Sequence, residues 1–140
     1  MKVYISGALD ASQDLQSSRA KYDGMALELS SFGFYPYVPH HKTDPVVQAD
    51  VNSVDVFDCD LAALSDSDLI VAFFDEPSFG VGAEVAIAIE KGIPVVGLIA
   101  EGKKFSRFLH GLILSSRNSS VYIYKDLDSA ATSIRRQFLP

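Results

Sequence analysis

What this 140-residue sequence has little of narrows it first. There is one cysteine, Cys59, so neither an intrachain disulfide nor a cysteine-built zinc cage is available. Cys59 stands between Asp58 and Asp60, a setting that does not activate a thiol, and it reads as a helix residue. Lys and Arg form no run, and the net charge is -6, which speaks against a nucleic-acid groove. No apolar stretch reaches the roughly 18 residues of a membrane span. The opening MKVYISG runs straight into a strand pattern without the apolar core of a signal peptide. A cytoplasmic chain with neither a nucleic-acid polymer nor a membrane as partner is therefore expected.

What is present suits one globular domain over 1–140: 48% hydrophobic and 21% charged residues. The stretch that organises it is Asp68 to Leu98. An apolar run, Leu69 to Phe74, predicts a buried strand, and a polar corner follows at Asp75-Glu76-Pro77-Ser78. After Gly80-Val81-Gly82, Ala83 to Lys91 predicts a helix beginning near Gly82 and stopped by Gly92 and Pro94. Val95 to Ile99 closes a parallel strand-helix-strand unit. On either side the patterns predict strands at 2–6, 34–38 and 121–124, and helices at 14–32, 47–65, 105–114 and 127–138. Residues 39–45 read as a stiff polar loop between two prolines. In the 47–65 helix, Val51, Val54, Phe57, Leu61 and Leu64 are expected to face the core. Strands alternating with helices predict a three-layer doubly wound Rossmann-like or flavodoxin-like α/β sandwich on a five-stranded parallel sheet.

Such sheets bind ligands beyond the carboxyl ends of their strands, where Gly7, Ser78, Gly80, Gly82 and Glu84 fall. Taken alone, Glu84 in a first turn is more simply explained as a complement to the helix dipole. The two glycines admit close backbone approach, and Ser78 with free helix N–H groups suits an oxyanion. The G-x-G is too short for a dinucleotide fingerprint, so no nicotinamide cofactor is expected. Two acidic groups at one edge are the raw material of glycosidic chemistry, with Glu84 as nucleophile, favoured by the helix start, and Asp60 as proton handler. Asp60 is also readable as a solvated aspartate, and Tyr4 as a core aromatic with its hydroxyl at the rim. His40, His41 and Asp44 make a weak metal set, because adjacent histidines usually point apart. Ser106, with Lys103, Lys104 and Arg107, reads either as a phosphate seat or as a solvated basic face.

Taken together, Tyr4 to Gly7 (YISG), Asp60-Leu61, the run PSFGVGAE from Pro77 to Glu84, and Ser106 with Gly111 resemble the nucleoside 2-deoxyribosyltransferase family. The similarity is nearest to its 2'-deoxynucleoside 5'-phosphate N-hydrolase branch. The resemblance implies an obligate homodimer with shared active sites, a nucleoside or nucleotide substrate, and no metal or organic cofactor. It implies Glu84 as the nucleophile that forms a deoxyribosyl intermediate, Asp60 as the aid to the leaving base, and Tyr4 as the group that positions the nucleophile. Ser78 and Ser106 would contact a 5'-phosphate, Ser106 from the partner chain. One departure stands out: Asp10 falls where the branch carries a phosphate-holding arginine, and Arg19, Lys42 or Arg107 would have to replace it. Transfer or hydrolysis, deoxyribose or ribose, and a silent nucleotide-binding module all stay open on sequence grounds.

Overall fold

A computed structural model describes all residues 1–140. Its elements run β1 (Lys2–Ser6), α1 (Leu15–Ser31), β2 (Tyr35–Tyr37), α2 (His40–Thr43), α3 (Ser53–Ser65), β3 (Leu69–Phe73), α4 (Phe79–Glu90), β4 (Val95–Ala100), α5 (Arg107–Leu114), β5 (Ser120–Tyr124) and α6 (Leu127–Phe138). All five strands are parallel, in the order β2-β1-β3-β4-β5. This is the flavodoxin-like doubly wound order, as the alternation of patterns predicted. No helix is long and apolar enough to cross a membrane.

Strand side chains alternate between faces, so the sheet sorts its own core. Val3, Ile5, Leu69, Val71, Phe73, Val96 and Leu98 pack with Tyr22, Met25 and Leu29 of α1 and with Ala131 and Ile134 of α6. Tyr4, Ile70, Ala72, Val95 and Ile99 face the other way, against Leu64 of α3, Val81, Val85 and Ala88 of α4 and Ile113 of α5. From β1 the chain turns toward β2, and from β3 toward β4. The crevice between β1 and β3 is therefore the switch point at which such sheets place ligands. Gly7 follows β1 there, and a Cβ on it would stand 2.2 Å from Cζ of Tyr22. The first loop can turn over the α1 ring only because that position is glycine.

Several expectations are corrected. Helix α4 begins at Phe79, capped by Ser78 Oγ, which accepts from Val81 N. Glu84 thus lies in its second turn, beyond the reach of a first-turn dipole effect. Residues 40–43 form a short helix instead of a loop, and α3 begins at Ser53, capped by Asn52, six residues later than the apolar pattern suggested. Of the apolar residues assigned to its core face only Leu64 is buried; Val54 and Phe57 are exposed and Leu61 is half-buried. The reason lies in α3's neighbour: much of that stripe borders a cavity.

Candidate active site

Tyr4 and Ser6 lie two apart on β1 and so project from the same face, toward α4. Both reach one acceptor. Tyr4 donates its hydroxyl to Glu84 Oε1 at 2.7 Å, and Ser6 donates to Oε2. Glu84 is partly buried, with its carboxyl at the enclosed end. Burial pushes that carboxyl above its ordinary range; the Ser6 and Tyr4 hydrogen bonds pull it down, and the nearby Asp60 charge pushes it up again. The expected stabilisation of the ionised form by the helix start is replaced by these two hydroxyls. Tyr4 is itself held strongly in its neutral, donating form, first by burial and then by the Glu84 charge. Its ring stacks on Tyr37, centroids 5.6 Å apart.

Asp60 comes from α3, one turn before the buried Leu64. Thr43, at the end of α2, donates to its carboxylate, at 3.0 Å from Oδ1 and 3.2 Å from Oδ2. Burial raises the Asp60 carboxyl against the Thr43 bond. Asp60 and Glu84 line one cavity of about 440 Å³, together with Gly7, Asp10, Ser78, Gly80, Phe57 and Leu61. No lysine or arginine lines it.

The cations named as replacements are placed elsewhere. Arg19 grips Asp44 through Nε and Nη2 at 2.6 and 2.5 Å, and its guanidinium holds the Asp44 carboxyl far below its usual range. Lys42 is exposed on α2, and Arg107 is exposed at the start of α5. Ser106 caps α5, accepting from Leu109 N. It lines a second cavity of about 570 Å³ with Gly82, Lys104, Phe105 and Phe108, whose wall of Ser78, Phe79 and Val81 is shared with the first. The structure therefore brings Glu84, Asp60, Tyr4, Gly7, Ser78 and Gly80 together. It sets Gly82 and Ser106 across that wall.

No family model matches the chain. Among curated relatives, a protein of Thermofilum pendens named "Putative 2'-deoxynucleoside 5'-phosphate N-hydrolase 1" is 27% identical over 133 residues, covering 93% of this chain and 90% of its own. A protein of the same name from Methanococcoides burtonii is 29% identical over 114 residues, covering 79% and 90%. Both relatives support the resemblance to the nucleoside 2-deoxyribosyltransferase family. Solved structures share this chain's fold. The CMP N-glycosidase BcmB of Clostridium botulinum aligns with a TM-score of 0.72 at 20% identity, over 97% of this chain and 98% of that one. A 2-deoxyribosyltransferase of Bacillus psychrosaccharolyticus aligns at 0.68 and 16%, over 94% and 90%.

Two residues of the site, Ser6 and Thr43, were not among those expected from the sequence. Ser6 was legible: it follows Tyr4 at the two-residue strand period and ends a strand at the ligand edge. Thr43 was not, because nothing local says that a polar turn will stand over a helix starting ten residues later.

Proposed function

We propose that this protein cleaves the N-glycosidic bond of a 2'-deoxynucleoside or its 5'-monophosphate, with Glu84 as nucleophile and Asp60 as proton handler. One observation carries the reading: a partly buried carboxylate, with each oxygen held by a hydroxyl donor, facing a second carboxylate across a cavity of nucleoside size. A helix-capping role does not explain it, since Glu84 lies past the first turn. The names of the family members point to the same bond.

The bond from C1' to the base nitrogen breaks with its electron pair passing to the base, and Asp60 supplies the proton that the base takes up. A raised carboxyl suits that task near neutral pH. Glu84 closes on the oxocarbenium-like C1' to form an ester, while Tyr4 and Ser6 keep it ionised and aimed. Water, or a second base, then attacks C1', and the ester C–O bond breaks to return the carboxylate. Asp60 takes the proton that the incoming water or base releases.

The reading includes a second copy of the chain closing the site. Phe79 and Phe108 are 101% and 84% exposed beside the Ser106 cavity, which suits an apolar face covered by a partner. Ser78, Ser106 and Lys104 are the groups that would meet a 5'-phosphate.

The test is product analysis with each deoxynucleoside and each deoxynucleoside 5'-monophosphate, with and without an acceptor base. Free base, or a new nucleoside when acceptor is added, is expected from the native protein. Glu84→Gln is expected to slow release by roughly 10⁴-fold with its circular dichroism unchanged. Release at native rates in that variant would overturn the assignment.

A further inference from the structure

Away from the Glu84 cavity, one cluster of donor atoms has no part in this scheme. Asp23 lies on the exposed side of α1, beside His40 and His41 at the start of α2. His41 Nε2 is 2.7 Å from Asp23 Oδ1, and His40 Nε2 is 3.0 Å from the same oxygen. The three ligand atoms lie within 4.8 Å of one another. Adjacent side chains oppose each other on a strand, but on a helix they are only roughly 100° apart. Because 40–43 is a helical turn, both rings lean toward α1 and meet edge to face, centroids 4.7 Å apart.

His40 is the anomaly. Its side chain is 6% exposed, and neither ring nitrogen has hydrogen-bond geometry with any protein atom. Leaving a buried polar group unpartnered costs about 1–3 kcal/mol. Of the two rings only His41 holds the Asp23 oxygen in hydrogen-bond geometry.

We propose that Asp23, His40 and His41 form a site for one divalent first-row transition ion of the zinc class, with water completing its shell. Two imidazoles and a carboxylate are the donor set of open tetrahedral zinc sites, and imidazole selects such ions over magnesium and calcium. Bonds of about 2.0–2.1 Å place tetrahedral donors roughly 3.4 Å apart, so the two separations from Asp23 need to widen by about 0.4–0.7 Å. Asp23 and His41 side chains, 49% and 56% exposed, have room to do so and leave an open approach. Arg19 occupies Asp44, so the carboxylate of this set is Asp23 rather than Asp44. Thr43, on the same turn, holds Asp60; a bound ion would therefore tie α1 to the segment that positions the proton handler.

The experiment treats the full-length protein with chelator, removes the chelator, and titrates zinc chloride alone by calorimetry, with cobalt(II) as a spectroscopic stand-in. One ion per chain, tetrahedral cobalt absorption and a Tm that climbs with zinc are expected. Asp23→Ala and His41→Ala alter exposed side chains and are expected to weaken binding by about 100-fold or more, beyond what loss of an outer-shell partner costs. No stoichiometric binding at micromolar zinc would overturn the proposal. So would binding that survives in the Asp23→Ala/His41→Ala double variant, since the ion would then sit elsewhere, for example on Cys59. These readouts use no substrate, so they stand or fall apart from the glycosidic reading.

Discussion

Glu84 is subject to opposed influences whose balance sets both its chemistry and its cost. Enclosure disfavours its charge, two hydroxyls favour it, and Asp60 opposes it again, with the net effect upward. A carboxyl raised in the folded state is protonated in both states below its ordinary value of 4.5, where it costs nothing. As pH rises above that value the unfolded chain ionises freely while the folded chain resists, so stability falls until the folded carboxyl has also ionised. Glu84→Gln is therefore expected to melt at a higher Tm than the native protein at neutral pH, with the gap closing at about pH 4. Melts followed by circular dichroism across that range check it. No gain at any pH would mean that Tyr4 and Ser6 fully offset the desolvation.

Helix α3 shows how an element can be both placed and exposed. Its C-terminal half is anchored by Leu64 against the sheet, while its N-terminal half borders the cavity through Val56 and Phe57. With little core beneath it, that half depends on its cap, where Asn52 Oδ1 accepts from Asp55 N at 3.0 Å. Asn52→Ala is expected to cost about 1 kcal/mol in urea unfolding. An unchanged midpoint would mean that water replaces the cap. The same logic explains the 39–45 segment: its short helix persists because Thr43 and Asp44 are buried and bonded to Asp60 and Arg19, not because its residues favour helix.

For the whole molecule, the exposed pair Phe79 and Phe108 beside the Ser106 cavity is the feature that one chain alone leaves unexplained. A second copy covering it predicts a dimer by light scattering after size exclusion, and a monomer for Phe108→Glu, because a charge at the centre of an apolar contact has no partner. Base release should fall in the same variant if the partner completes the site. A native protein that runs as a monomer would sink this arrangement while leaving Glu84 chemistry untouched.

The alternation of apolar strands with helical patterns determined the sheet class and the ligand edge, because period and chain order are written locally. The motif from Pro77 to Glu84 was enough to single out Glu84, and Tyr4 with Ser6 follows from a two-residue strand period. Helix starts were less legible: α4 begins three residues before Gly82 because Ser78 supplies a cap, and α3 begins at Ser53, later than its apolar spacing, because Asn52 supplies one. Only the tertiary structure decided that Thr43 would hold Asp60, that Arg19 would be spent on Asp44, and that two neighbouring histidines would converge on Asp23. Those pairings join residues 17 to 25 positions apart on different elements, and only packing brings them within a bond's length.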